Sequence, residues 1–322
     1  MSPRGRIAVV VAVLAAAAAG ATVGATVLIW GSDSHAARES VGLRPGAPPF
    51  LVDELGVRAD PEARKLRHAA RLYGSGERTE AGRLLAGDPS VEARVGAALA
   101  RWPRGTITEL DTLAREHPRS AFVRLHLGLA FYWARRGGDA RQAWRAAKRV
   151  DLDSPSAVRA ESLAHPEYAP GRPTFVPSFS APASLGELSP ARQLAALARA
   201  ARGLDVRAKL LYGVALQRLE RPVSAERQYA AAAALAPRNP EARVAAAVGL
   251  FDKDRPALAF SRLGPLVRTF PRAPTVRFHL GLLLLWSGRV EAAKVELRRA
   301  RAEGPKTPLG REATAFLSRI SR

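Results

Sequence analysis

The residue types that do chemistry are few in this chain, and their spacing does not assemble them. The six histidines stand at positions 35, 68, 117, 126, 165 and 279, with no two at the short spacing that puts a pair of ligands on one metal. There is no cysteine, which excludes a thiol nucleophile, a thiolate zinc site, a thioether haem attachment and a disulfide framework. Asp151-Leu152-Asp153 is an acidic pair, but it falls where an amphipathic segment ends and a turn must begin, the ordinary place for Asp. Gly304-Pro305-Lys306-Thr307 resembles the end of a phosphate loop without the adjacent Gly-Lys pair that such a loop needs. No HExxH, GxSxG or GxGxxG occurs. The expectation is a protein that is not an enzyme and has no catalytic residue, cofactor or metal.

His126 and His279 differ from the other four. They sit in near copies, VRLHLGL (Val123–Leu129) and VRFHLGL (Val276–Leu282), 153 residues apart, with Trp133 and Trp286 at the same distance downstream. Two readings stay open. Each histidine is a hydrogen-bonded packing residue duplicated with its surroundings, or the two share a role in a groove.

Those copies point to the elements that must carry them. Pro237, Pro271 and Pro305 are 34 residues apart, and so are Gly213, Ala247 and Gly281. Ala225, Ala259 and Ala293 keep the interval, as do Tyr229, Leu263 and Leu297, then Ala232, Leu266 and Ala300. One period held by five interleaved columns predicts two antiparallel helices per unit. The small residue of the second column lets the helices approach, and the aromatic or leucine of the fourth fills the seam. The proline ends the second helix because it has no N–H to continue the ladder. Each unit leaves an apolar face that only stacking covers.

These columns resemble those of the tetratricopeptide-repeat (TPR) family. Gly128, Ala140, Trp144 and Ala147 continue the pattern upstream, with Leu152 in the proline's place. Gly96, Leu99, Leu110 and Leu113, closed by Pro118, do so more loosely, as do Ala69, Leu72, Ala81 and Leu85. The resemblance implies an all-α fold, a right-handed α-solenoid of helix-turn-helix repeats. Residues 60–153 are degenerate repeats, 154–203 an interrupted one, 204–305 three regular ones and 306–322 a capping helix. The interruption is a loop, 165–188, whose Pro166, Pro170, Pro173, Pro177 and Pro182 forbid helix. Helices are predicted on either side, at Ser156–Ala164 and Pro190–Arg202. With Tyr168, Phe175, Val176 and Phe179 among the prolines, the loop packs into a groove, engages a partner or stays mobile on the surface.

In the family the first helix of each unit lines a concave, peptide-gripping surface. Carried onto this chain, the groove comprises Phe122, His126, Leu129, Tyr132 and Trp133, then Leu210, Val214, Gln217 and Arg218. Val248 and Phe251 follow, then Phe278, His279, Leu282 and Trp286. The lining is apolar and aromatic, which favours an amphipathic or aromatic-bearing protein or peptide partner. The lysine and asparagine clamp by which some family members hold carboxylate-ending tails has no counterpart, since the sole asparagine, Asn239, falls in a turn.

Residues 7–30 carry no charged side chain. As a helix they span about 36 Å, enough for a hydrocarbon core of about 30 Å and long for a secretory signal. They are read as a transmembrane signal-anchor, with 1–6 as a cytoplasmic tail and 31–59 as linker. Arg4 and Arg6 ahead of the run place the remainder outside the cytoplasm, in a single-pass membrane protein. Cleavage at Ser34-His35-Ala36, with secretion, is the alternative. Lys+Arg number 50 against 29 Asp+Glu, a formal charge of +21, and only six of the basic residues are lysine. The excess is spread over amphipathic segments such as Arg141, Arg145, Lys148 and Arg149, or Lys294, Arg298, Arg299 and Arg301, and is not gathered on one face. That disfavours specific nucleic-acid binding and leaves weak contact with anionic lipid or polymer. The expected function is a membrane-tethered scaffold for protein–protein interaction, with assembly of cell-envelope machinery as the role that the resemblance implies for an anchored array; the alternative is a binder of anionic envelope polymer or lipid headgroups through dispersed arginines.

Overall fold

A computed structural model describes residues 49–320 and divides the chain into two compact units, described here as 49–164 and 165–320. The tail 1–6 and the span 7–30 lie outside the described residues. Among those described, no helix is long and apolar enough to cross a membrane.

Both units are all-α among the described residues. The first contains α1 (Pro61–Ser75), α2 (Arg78–Leu85), α3 (Val91–Ala100), α4 (Thr106–Glu116), α5 (Ala121–Trp133), α6 (Gly137–Val150) and α7 (Pro155–Ala164). Each helix packs on the next, and α1, α3, α5 and α7 also pack in succession, the arrangement of stacked hairpins. The second unit begins with an extended segment and a 3-10 turn (Ala183–Glu187), followed by α8 (Pro190–Ala200). Three hairpins follow. They are α9 (Val206–Arg218) with α10 (Pro222–Leu235), α11 (Pro240–Gly249) with α12 (Ala257–Leu263) and α13 (Leu266–Thr269), and α14 (Pro274–Trp286) with α15 (Val290–Glu303). α16 (Pro308–Ile320) covers the last of them, packing on α14 and α15.

Local chemistry sets the boundaries. Asp60, Ser90, Ser120, Asp205 and Asn239 each accept, through the side chain, the N–H three residues on, which satisfies a donor that a helix start leaves orphaned. Asn239 is therefore the cap of α11. Pro237, Pro271 and Pro305 each follow the end of a second helix, as the period predicts.

The columns pack as their spacing requires. Ala140, Ala225, Ala259 and Ala293 are wholly buried, and so are Tyr229, Leu263 and Leu297. A β-carbon at Gly213 would come within 3 Å of the Tyr229 ring, and one at Gly281 would lie 2.9 Å from Leu297. At Gly128 it would run into the Trp144 indole. One hairpin departs from the regular pattern. Its second helix breaks into α12 and α13 at Gly264-Pro265, because Pro265 cannot donate to a carbonyl one turn back.

Two segments read differently from sequence find their places here. The unit boundary falls between Ala164 and His165, inside the stretch taken as one interrupted repeat, with α7 on α5 and α6 and α8 on α9. Of the stretch assigned to linker, residues 49–55 lie against the first unit, with Val52 and Leu55 buried.

Candidate functional site

In each unit a helix-borne histidine receives the N–H of an extended piece of the same chain. His126 on α5 and His279 on α14 are both fully buried. Each ring sits one turn above a carbonyl, and Nδ1 bonds to it: Phe122 O at 2.8 Å for His126 and Thr275 O at 2.6 Å for His279. That contact makes Nδ1 the protonated nitrogen and leaves Nε2 as an acceptor. The Val52 N–H donates to Nε2 of His126 at 3.0 Å, and the Val176 N–H to Nε2 of His279 at 2.9 Å. Burial pushes both imidazoles down to about 4, against the smaller opposing effect of the carbonyl, so both stay neutral at ordinary pH.

The second unit shows the arrangement most fully. Successive hairpins each contribute one acceptor from their first helix. Gln217 Oε1 on α9 takes the Phe175 N–H at 2.9 Å, His279 on α14 takes Val176, and Glu241 Oε2 on α11 takes Ser178 at 3.2 Å. Pro173 and Pro177, interspersed, have no N–H to satisfy. Upstream, the carbonyls are gripped instead. The Lys253 ammonium, 2% exposed, donates to Ala169 O at 2.7 Å, and the Trp286 indole N–H to Pro170 O at 3.2 Å. Arg172 reaches back to Phe251 O at 2.9 Å. The Phe175 ring stacks on His279 at 5.1 Å and meets the Tyr229 edge at 5.6 Å, and the Tyr229 hydroxyl donates to Gln217 at 2.7 Å. The Arg207 guanidinium lies 4.7 Å over Phe179. At the entrance, His165 stands between Glu167 (3.0 Å) and Asp254 (2.7 Å).

The first unit repeats the scheme with a shorter strap. Besides the Val52–His126 bond, Tyr73 donates its hydroxyl to Pro49 O at 2.5 Å, and the Phe50 ring meets Trp133 edge-on at 5.9 Å. Leu51 and Val52 enter the apolar packing around α3, α5 and α6.

The residues predicted to line a groove divide accordingly. Leu129 and Trp133 pack in one cluster with Val52, while Leu210, Val214, Val248, Phe251, Leu282 and Trp286 pack in another with Ala169, Phe175 and Val176. His126, His279 and Gln217 bond the straps. Phe122, beside His126, joins the cluster of Val95, Leu99 and Leu110. Phe278 turns towards the cap helix and meets Phe316 edge-on at 6.0 Å. Tyr132 lies on Trp133 and Trp144, and Arg218, its charged form disfavoured by burial and its pKa lowered to about 10, lies beside Tyr229. Only Tyr132, Gln217 and Arg218 of the fifteen keep appreciable exposure, the others being covered by the straps, by neighbouring helices or, for Phe278, by the cap helix.

Sequence reasoning missed Glu241, Lys253, Arg172 and Tyr73. A signal did exist. Aligned on the bonded amides, the straps read Pro49-Phe50-Leu51-Val52 and Pro173-Thr174-Phe175-Val176, a proline three residues before the valine with a phenylalanine between.

No protein-family profile matches this chain, and no curated protein matches it. Among solved structures it is similar to yeast Tom70, at 14% identity and a TM-score of 0.32, over 81% of this chain and 55% of that one. It is similar to the TPR2AB domain–pHSP90 complex of yeast Sti1, at 11% identity and a TM-score of 0.31, over 80% of this chain and 98% of that one. A third is the APC/C hetero-tetramer Cut9-Hcn1, at 14% identity and 0.28, over 81% and 56%. The chain thus spans little more than half the length of the first and third. At such values the repeat architecture rests on the chain's own columns and packing.

Proposed function

We propose that the chain is a non-enzymatic scaffold for protein–protein interaction, tethered by residues 7–30 to the cytoplasmic membrane and displayed outside it, where it holds a component of envelope machinery during assembly. The observation that carries the interaction role is the row of side-chain acceptors on α9, α11 and α14, which hold an extended main chain by its N–H groups. A surface that recognises backbone in this way takes extended peptide as its natural ligand. The tether and its orientation draw on the uncharged run and the arginines before it, and the envelope role on family resemblance.

The test places a photoreactive side chain at Arg218, on the groove of the second unit, or at Arg298, exposed on the second helix of the last hairpin. Irradiated in native membranes, the first should give a discrete protein adduct that the second does not, and the yield should survive high salt. No adduct at 218, or equal labelling at both positions, refutes the proposal. An adduct lost steeply with salt would favour the anionic-polymer reading instead.

A further inference from the structure

The straps reach equivalent histidines by different routes. The first precedes every described helix of its unit; the second runs between α7 and α8, tied at both ends. A connection that merely had to cross its unit would have no reason to match the other. Yet both present a proline and, three residues on, a valine amide to the imidazole Nε2; the phenylalanine differs in position, Phe50 meeting Trp133 and Phe175 lying between His279 and Tyr229. What the two sites share is a histidine acceptor for the amide three residues after a proline, and the second adds a slot for the ring between them.

We propose that the groove of the second unit is a binding site for an extended Pro-x-Phe-Val segment of another polypeptide, and that the strap is the resident occupant which such a segment displaces. This rests on the scaffold reading above and specifies the partner's chemistry. The N–H groups of Phe175, Val176 and Ser178 are taken up by side chains of three different helices, so a second extended chain can make the same bonds without any strand partner. Proline supplies the extended conformation in advance and withholds donors where no acceptor faces them. The slot between His279 and Tyr229 fits one flat ring. The strap's margins suit release: His165 is held by two half-exposed carboxylates, and residues 182–184 are exposed. Being tethered, the strap competes at an effective concentration of order millimolar, so a free peptide binds well only when the strap is weakened.

The experiment uses the full chain with Phe175→Ser and a fluorescent peptide of residues 169–180, APGRPTFVPSFS, followed by anisotropy. The variant should bind this peptide saturably and at least tenfold more tightly than the unsubstituted protein does. A peptide with serine for its phenylalanine should bind at least tenfold more weakly. A variant with native helical content that binds no better than the parent, or binds both peptides alike, overturns the proposal. Should that variant fail to fold, hydrogen exchange of the unsubstituted chain decides. Amides of Phe175, Val176 and Ser178 exchanging at least tenfold faster than those of Leu282–Leu285 support an independently opening strap, and exchange together with that helix overturns it. Peptide capture without a membrane adduct at 218 keeps this site and removes the scaffold reading, and the converse result does the reverse.

Discussion

Acidification should weaken the second unit through His279, by an amount its burial sets. The imidazole falls from 6.5 to about 4 on folding, because burial disfavours the cation. Between those values the unfolded chain binds the proton and the folded one does not, so stability is present above pH 6.5 and drains as pH falls towards 4. At about 1.4 kcal/mol per pH unit, moving from pH 7 to pH 5 removes about 2 kcal/mol. Other groups contribute over the same range. Burial raises the Glu241 carboxyl, which bonds the strap nearby, and a raised acid loses stability as pH climbs, the opposite sign. The comparison is therefore with His279→Gln, whose amide oxygen can still accept the Val176 N–H but cannot titrate. Urea unfolding at both pH values, followed by far-UV circular dichroism, reads the difference. With a slope of about 2 kcal/mol per molar, the parent midpoint should fall by about 1 M more than that of the variant. Equal shifts in both proteins would show that the imidazole is not held neutral in the groove, and the reasoning would fail.

Four further outcomes follow from the packing and the sequence. Gly213→Ala should destabilise by about 1–3 kcal/mol despite alanine's better helix propensity, because its methyl meets the fully buried Tyr229 ring; thermal melting reads the sign. Gly74→Ala, with nothing within 4 Å of the new methyl, should instead stabilise α1 by up to about 1 kcal/mol. Glu161→Leu should cost the first unit about 3–5 kcal/mol by removing the carboxylate that Lys148 meets at 2.8 Å in the interior, as measured by chemical denaturation. A periplasm-dependent reporter fused after residue 322 should be active, and activity only from a cytoplasm-dependent one would reverse the proposed orientation.

The helices were legible because their determinants are local or periodic. The 34-residue columns predicted a close helix approach at Gly213 and Gly281 and a seam filled by Tyr229 and Leu297, and the prolines predicted where the second helices end. The break at Gly264-Pro265 was equally local, but the regular columns around it masked it. The straps were not legible in the same way. Periodicity identifies the first helices, but it says nothing about what fills the surface between them. Phe175 and His279 are 104 positions apart in the chain, and no spacing rule links them. The proline-dense loop declared itself as non-helical without declaring where it lay. Glu241 and Lys253 belong to no repeat column or motif, and only the strap's course gives one an amide and the other a carbonyl. The paired Pro-x-x-Val segments become visible as a pair once both amides are known to meet histidines.

The second unit's groove is filled by its own chain, and the absence of native cysteine makes that directly measurable. Val176→Cys places a single thiol where the parent residue is 4% exposed, and Ser184→Cys places one at an exposed position of the same loop. In the native protein the thiol at 176 should react with a maleimide at least tenfold more slowly than that at 184, the two rates converging in denaturant. Equal rates in the native protein would mean that the loop lies outside the groove, and the account would be wrong.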